Sequence, residues 1–115
     1  MAYLPSVPGD AVLLDVFRAY PDTARPLLDY HQALLRGPSP LSVAERELIA
    51  AFMSGLNACG YCQGVHTATA QAFGVGEATL AAVLTDVSTA EVPERIKPLL
   101  RYVGKLTLTP AKITP

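Results

Sequence analysis

The spacing of apolar residues limits most strongly what this chain can fold into. The longest segments repeat apolar side chains every three or four residues, and runs of alternating β-branched residues are absent from the sequence. The clearest segment carries Leu48, Phe52 and Leu56 behind a capping box that runs from Ser42 to Glu45. The sequence therefore predicts an all-α helical bundle.

Proline, glycine and asparagine indicate where each predicted helix begins and ends. The predicted helices are a short one over 11–20 capped by Asp10, one that runs to Arg36 with Pro26 in its first turn, one from the capping box to Asn57–Ala58, one from Cys59 or just before it to Phe73 with Gly74 as its stop, one that begins at Gly76–Glu77, and one that begins at Pro93–Glu94. Residues 89–92 are predicted to form a loop.

Length and composition predict one domain that associates with itself. A chain of 115 residues is long enough for one core and too short for two. Hydrophobic residues make up 50% of the chain and charged residues 17%, below the roughly 25% of an average soluble domain. Apolar surface should therefore remain after folding, which favours a homo-oligomer.

The charge pattern argues against nucleic acid and membranes as partners. The net charge is -1, and lysines and arginines are scattered without a basic run. No apolar stretch reaches the roughly 18 residues of a membrane span. The start of the chain, Met1–Pro5, lacks the basic region of a signal peptide, so a cytoplasmic protein is predicted.

The last two residues, Thr114 and Pro115, form a helix-start signal that nothing follows. Either the tail is disordered, or this chain is the front part of a longer architecture.

The two cysteines of the chain form a CxxC motif at Cys59 and Cys62, and His66 follows four residues later. At about 100° per residue the three side chains fall within roughly a 60° arc of one helix. Cys59 is expected in the first turn, where free N–H groups and the helix dipole favour a thiolate. In a reducing compartment such a pair is more often redox-active or metal-binding than a structural disulfide.

Glu47 is predicted to lie beside His66. It stands about ten residues before the turn at Asn57–Ala58, and His66 stands about eight residues after it. At 1.5 Å per residue these are roughly 15 Å and 12 Å along two helices, so an antiparallel hairpin would bring the two side chains to one level. A buried glutamate would hold the imidazole as a proton acceptor.

The stretch from Leu41 to His66, LSVAERELIAAFMSGLNACGYCQGVH, resembles the signature of the alkylhydroperoxidase-D/carboxymuconolactone decarboxylase superfamily, in its peroxidase-related branch. The resemblance rests on a Glu, a CxxC twelve residues later, and a His four residues after the second Cys. It implies an all-helical fold with the CxxC at the N-terminus of a central helix. It also implies trimers, hexamers or dimers.

The resemblance further implies a peroxidase that reduces hydroperoxides. Cys62 would attack the peroxide, Cys59 would resolve the sulfenic acid into a disulfide, and Glu47 and His66 would relay protons. Position on the helix alone would instead favour Cys59 as the low-pKa thiol. No haem, flavin or metal is required by the motif. A lipoyl-protein, a thioredoxin-like protein or a small thiol would restore the two thiols.

Two alternatives stay open from the sequence, and a third is disfavoured. A thiol–disulfide reductase or sensor is one, because Tyr61 stands where some family members have a second histidine, and a phenol relays protons poorly near neutral pH. A zinc-stabilised interaction domain is another. Cys59, Cys62 and His66 would supply three zinc ligands, and Glu47 or His31 would supply the fourth. A lactone decarboxylase is disfavoured, because that chemistry does not need the cysteines.

Tyr61 and Phe52 are candidate residues of a substrate pocket. Tyr61 would donate to a peroxide oxygen or line the pocket mouth, and Phe52 would be a core residue or an apolar wall of the pocket.

Overall fold

The computed structural model describes residues 3–114, and every regular element in that range is helical. The elements are α1 (Leu13–Ala19), α2 (Pro21–Arg36), α3 (Val43–Leu56), α4 (Gly60–Ala72), α5 (Thr79–Thr85), the 3-10 turn Glu94–Ile96, α6 (Lys97–Leu108) and the 3-10 turn Pro110–Lys112. The prediction of an all-α fold is confirmed.

Two compact units, Met1–Pro38 and Ser39–Pro115, are distinguished by their internal contacts. The expectation of one domain stays a prediction. Met1, Ala2 and Pro115 lie outside the described residues. The expectation for the start of the chain and the helix-start signal at Thr114–Pro115 depend in part on these residues. Those parts therefore lie outside the described residues as well.

The first unit consists of α1 and α2, and the predicted cap of α1 is wrong. Val12, rather than Asp10, holds the N-cap position. The Val12 N–H donates to Asp15 Oδ2 at 3.1 Å. A carboxylate three positions into the helix thus satisfies the free N–H, and the helix begins two residues later than predicted.

The predicted position of Pro26 is also wrong. Pro21 occupies the first position of α2, and Pro26 lies inside the helix. Proline is favoured at a first helical position because its missing N–H has no intrahelical partner there. Pro21 therefore starts the helix, and Pro26 removes only the N–H that would have reached the carbonyl of Asp22.

The second unit is built around α3, which packs against α4, α5 and α6. Its core residues are apolar and at most 7% exposed: Leu48, Ala51, Phe52, Leu80, Val83, Ala90, Ile96 and Leu100. Ile96 and Leu100 are completely buried. Burial of one such side chain stabilises the fold by about 1.5–3 kcal/mol. The predicted helical spacing thus places one face of α3 in the core.

The start of α3 is the predicted capping box. Ser42 Oγ accepts from the Glu45 N–H at 3.2 Å, and Glu45 Oε2 accepts from the Ser42 N–H at 2.8 Å. Arg95 Nη2 donates to the other oxygen of Glu45 at 2.5 Å. Burial raises the pKa of Glu45, but the bonds from Ser42 and Arg95 together hold that pKa below its ordinary value. Glu45 is therefore a charged cap.

The predicted end of α4 is confirmed, but two later starts are wrong: α5 begins at Thr79 rather than at Gly76–Glu77, and the segment after Pro93 is a 3-10 turn, so α6 begins only at Lys97. Phe73 caps α4, and Gly74 follows with a φ of +100°, which glycine adopts without steric cost. Residues 89–92 are irregular, and Pro98 lies in the first turn of α6. Lys97 closes this segment, because its Nζ donates to the Ser88 carbonyl at 2.9 Å and to Glu94 Oε1 at 2.6 Å.

None of the helices within residues 3–114 combines the length and the apolar character that crossing a bilayer requires.

Candidate redox site

A tight turn joins α3 to α4 and sets the position of the first cysteine. Ala58 has a φ of +53°, which is unusual for a residue with a side chain. The Cys59 N–H donates to the Ser54 carbonyl at 3.0 Å, and the Cys59 carbonyl accepts from the Gln63 N–H at 2.9 Å. The backbone of Cys59 is thus anchored to both helices.

The two cysteines are bonded as a disulfide, with their Cα atoms 5.4 Å apart. Cys59 holds the N-cap position of α4, one position before the first turn where it was expected. Its Sγ accepts a hydrogen bond from the Cys62 N–H at 3.4 Å. Both residues are half-buried, so the pair lies at the surface end of the helix.

Glu47 and His66 form the contact that the hairpin geometry predicts. The distance between His66 Nδ1 and Glu47 Oε2 is 2.7 Å. The Glu47 side chain is only 2% exposed and the imidazole is 20% exposed. A carboxylate oxygen accepts, so Nδ1 carries a proton, and in the neutral form of the ring Nε2 is the basic nitrogen. The predicted juxtaposition is confirmed, and the catalytic roles of the two residues stay predictions.

Small side chains permit the close approach of α3 to α4. Ala51 is fully buried, and Ser54 is 4% exposed. The Ser54 hydroxyl donates to the Ala50 carbonyl of its own helix at 2.7 Å. Because no bulky group separates the helices here, the buried carboxylate reaches across to the imidazole.

The remaining sequence-predicted site residues lie in different environments. Tyr61 is 61% exposed on α4, next to Cys62. Phe52 is 4% exposed and belongs to the core. Their roles in a substrate pocket stay predictions. His31 lies in the first unit, is exposed, and contacts the Leu27 carbonyl of its own helix through Nδ1 at 3.3 Å.

Residues 3–114 contain no group of three or more His, Cys, Asp or Glu residues placed to hold a metal ion. Cys59 and Cys62 are bonded to each other, and Glu47 pairs with His66. The side chains that the zinc alternative requires are therefore already engaged with one another.

A groove of about 590 Å³ follows a different face of α4. It begins at Gly60, one residue after Cys59, and runs between α4 and α5 past Gly64, Thr67 and Gln71. At 100° per residue this face lies roughly 140° around the helix from the one that carries Cys62 and His66. The redox pair and the groove share the N-terminal end of α4 but lie on different faces.

Comparison with known proteins identifies the family. The model of the carboxymuconolactone decarboxylase family matches residues 21–97, about two thirds of the chain. The chain belongs to this family. The match to the carboxymuconolactone decarboxylase family includes Glu47, Cys59, Cys62 and His66. No curated protein matches the chain.

Two contributors to the site were missed by the reasoning from sequence. The Ser54 carbonyl holds the Cys59 N–H, and Ala58 adopts the left-handed backbone of the turn. A glycine at position 58 would have indicated that backbone, but alanine carries no such signal. A backbone acceptor such as the Ser54 carbonyl leaves no trace in residue type.

Proposed function

We propose that this member of the carboxymuconolactone decarboxylase family is a thiol-dependent peroxidase that reduces hydroperoxides. One observation carries the proposal: the 2.7 Å contact between His66 and the buried Glu47, four residues from a cysteine that bonds a second cysteine. A generic CxxC does not need an imidazole that is held by a buried carboxylate. A site that must accept and return protons does need a base held in a fixed orientation.

The proposed reaction begins with the reduced pair. His66 Nε2 takes the proton of Cys62, and the thiolate attacks the distal oxygen of the hydroperoxide. The O–O bond breaks, the alkoxide takes a proton and leaves as an alcohol, and Cys62 becomes a sulfenic acid. Cys59 then attacks the Cys62 sulfur, and the hydroxyl leaves as water. Two thiols thus reduce one hydroperoxide and become one disulfide.

Electrons must return from a dithiol for the cycle to continue. A lipoyl-protein, a thioredoxin-like protein or a small dithiol would reduce the Cys59–Cys62 bond by thiol–disulfide exchange. Glu47 accepts a hydrogen bond from His66 Nδ1 and stabilises the imidazolium form of His66 each time the ring holds two protons. The carboxylate therefore orients the base without exchanging protons itself.

A thiol–disulfide reductase or redox sensor is the second candidate, and Tyr61 favours it. The phenol is 61% exposed between the cysteines, where a second histidine would provide another proton relay. A tyrosine, with an ordinary pKa near 10, does not replace that relay at neutral pH. The peroxide step would then be slow while exchange with other disulfides persisted.

Steady-state turnover separates these candidates. We expect the protein to consume an organic hydroperoxide with dihydrolipoamide or dithiothreitol as electron source, and to form one alcohol per dithiol oxidised. Cys59→Ser and Cys62→Ser should each abolish sustained turnover. Rapid exchange with a disulfide substrate but no hydroperoxide consumption above that of the free dithiol would establish the reductase instead.

A further inference from the structure

The environments of the two sulfurs differ, although the cysteines lie only three residues apart. Cys59 Sγ occupies the N-cap position of α4 and accepts the Cys62 N–H at 3.4 Å. The first backbone N–H groups of a helix have no intrahelical acceptor, and they stabilise a negative charge at that position. The N-terminus of α4 therefore stabilises a thiolate at Cys59.

Cys62 lies inside the first turn of α4, where its own N–H points back toward Cys59. One helical turn later stands His66, which Glu47 holds through Nδ1. Residues four apart on a helix are neighbours, so Cys62 faces a proton donor and acceptor rather than a row of N–H groups. Its surroundings therefore suit a sulfur whose substituents gain and lose protons.

We propose that the two sulfurs divide the reaction: Cys59 holds the negative charge of the resting pair and of the leaving group, and Cys62, which His66 deprotonates only as it attacks, carries every covalent adduct. This inference rests on the proposed function, and it specifies the reductive half of the cycle. The reductant thiolate attacks Cys62 Sγ, the Cys59–Cys62 bond breaks, and Cys59 leaves as the thiolate that the helix N-terminus stabilises. The second thiolate of the reductant then attacks the reductant sulfur that is bonded to Cys62. The bond from that sulfur to Cys62 breaks, the reductant is released as a cyclic disulfide, and Cys62 takes a proton from His66.

The direction of attack follows from leaving-group chemistry. In thiol–disulfide exchange the thiol of lower pKa leaves faster, so the attacked sulfur is the partner of the better leaving group. A helix N-terminus is a position where cysteine pKa values of about 3.5–7.5 occur. A difference of about two pKa units would direct the attack to Cys62 in roughly tenfold excess.

Trapping the mixed disulfide on the unaltered protein tests this assignment. The oxidised protein is mixed with 2-mercaptoethanol, quenched with acid within milliseconds and digested at low pH, and the mercaptoethanol adduct is located by mass spectrometry. We expect the adduct on Cys62 in roughly tenfold excess over Cys59. An adduct mainly on Cys59, or equal amounts on both, would overturn the proposal. In guanidinium chloride the bias should vanish, and its persistence there would show that the helix is not its cause.

A second measurement tests the origin of the effect on folded single-cysteine variants. The thiolate absorbance near 240 nm is followed against pH in Cys62→Ala, Cys62→Pro and Cys59→Ala. Alanine keeps the N–H that Cys59 accepts, whereas proline removes it at a first-turn position that tolerates proline. The Cys59 midpoint should be lowest in Cys62→Ala and higher in Cys62→Pro. A Cys59 midpoint at or above that of Cys62 in Cys59→Ala would contradict the proposal.

Peroxidase activity enters neither measurement, so the two proposals fail separately. If the adduct is found on Cys62 but the protein does not reduce hydroperoxides, the division of roles holds and belongs to a reductase. If the protein reduces hydroperoxides but the adduct is found on Cys59, the peroxidase proposal holds and the division of roles is wrong.

Discussion

The contact of Glu47 with His66 is the residue-scale feature that separates this site from an ordinary CxxC. A carboxylate that is 2% exposed would be strongly unfavourable without a partner, and the imidazole N–H at 2.7 Å supplies one. The same bond fixes the tautomer that leaves Nε2 basic. This hydrogen bond therefore contributes both to the stability of the fold and to the proposed chemistry.

Replacing Glu47 by glutamine should slow the peroxide step without unfolding the protein. The amide oxygen of Glu47→Gln still accepts from His66 Nδ1, but it no longer stabilises the imidazolium. We expect the rate of thiol loss to peroxide to fall about 10²-fold to 10⁴-fold, the usual range for a lost acid–base contribution. The measurement is a stopped-flow time course with the reduced protein.

Glu45→Gln is the matched control, because Glu45 lies on the same helix and pairs with Arg95 rather than His66. Its rate with peroxide should equal that of the unaltered protein. Equal rates for Glu47→Gln and Glu45→Gln would remove Glu47 from the mechanism.

The lowered pKa of Glu45 predicts a loss of stability in acid. A carboxylate whose pKa is lower in the folded than in the unfolded chain stabilises the fold above its unfolded pKa. That contribution is lost as the pH falls through the folded value. Urea unfolding from pH 7 down to pH 3 should therefore show a steeper loss for the unaltered protein than for Glu45→Gln. Parallel pH profiles would contradict a charged cap.

Among the elements, α3 and α5 meet closely at Gly55. A Cβ at this position would lie 2.9 Å and 3.0 Å from the two terminal methyl groups of Leu84. A Cβ at Gly64, on α4, would meet nothing within 4 Å. Alanine is the better helix former at both sites, so the clash is what distinguishes them. Gly55→Ala should be less stable than Gly64→Ala by about 1 kcal/mol in urea unfolding, the low end for overpacking, because the methyl groups end a half-buried flexible side chain. Equal stabilities would mean that Leu84 turns away without cost.

The turn between α3 and α4 carries backbone strain at Ala58, where φ is +53°. The left-handed conformation costs a residue with a side chain about 1–2 kcal/mol, whereas glycine adopts it freely. Ala58→Gly should therefore keep or slightly raise the stability, despite the freer unfolded chain. Ala68→Gly, an exposed site in the interior of α4, should lose about 1 kcal/mol. Thermal unfolding of both variants checks this, and an equal loss in both would contradict the strain.

How far the sequence predicts these elements depends on whether a signal is local. The capping box at Ser42 and the stop at Gly74 are local, and both helix ends are where they were predicted. The predictions that Asp10 caps α1 and that Pro26 lies in the first turn of α2 were wrong. Asp15 accepts the free N–H at the start of α1, and Pro21 occupies the first position of α2. The contact of Arg95 with Glu45 spans 50 residues, so spacing alone could not reveal it.

The candidate site was largely predictable because its spacing is a property of two adjacent helices. Glu47 and His66 are 19 residues apart and joined by one short turn, so helix rise alone places them together. The N-cap position of Cys59 and the hydrogen bond at its sulfur were not predictable to one residue. Both features depend on the residue at which the turn at Ala58 ends and α4 begins.

At the scale of the whole chain, many large hydrophobic side chains of the described residues are exposed. On α6, Leu99, Tyr102 and Leu106 form a stripe at helical spacing and are 38%, 51% and 49% exposed. Large apolar patches usually mark partner surfaces. We expect a homo-oligomer, and light scattering after size exclusion should give a multiple of the 12.2 kDa chain mass. A mass of one chain at micromolar concentration would contradict this expectation.

The proposed function requires that Cys59 and Cys62 form a peroxide-reactive pair whose protons are handled by Glu47 and His66. The most direct measurement counts free thiols before and after one equivalent of an organic hydroperoxide, with metal analysis of the same sample. We expect the loss of two thiols per chain, the formation of one alcohol, and no stoichiometric zinc. Unreactive thiols together with one bound zinc per chain would contradict it.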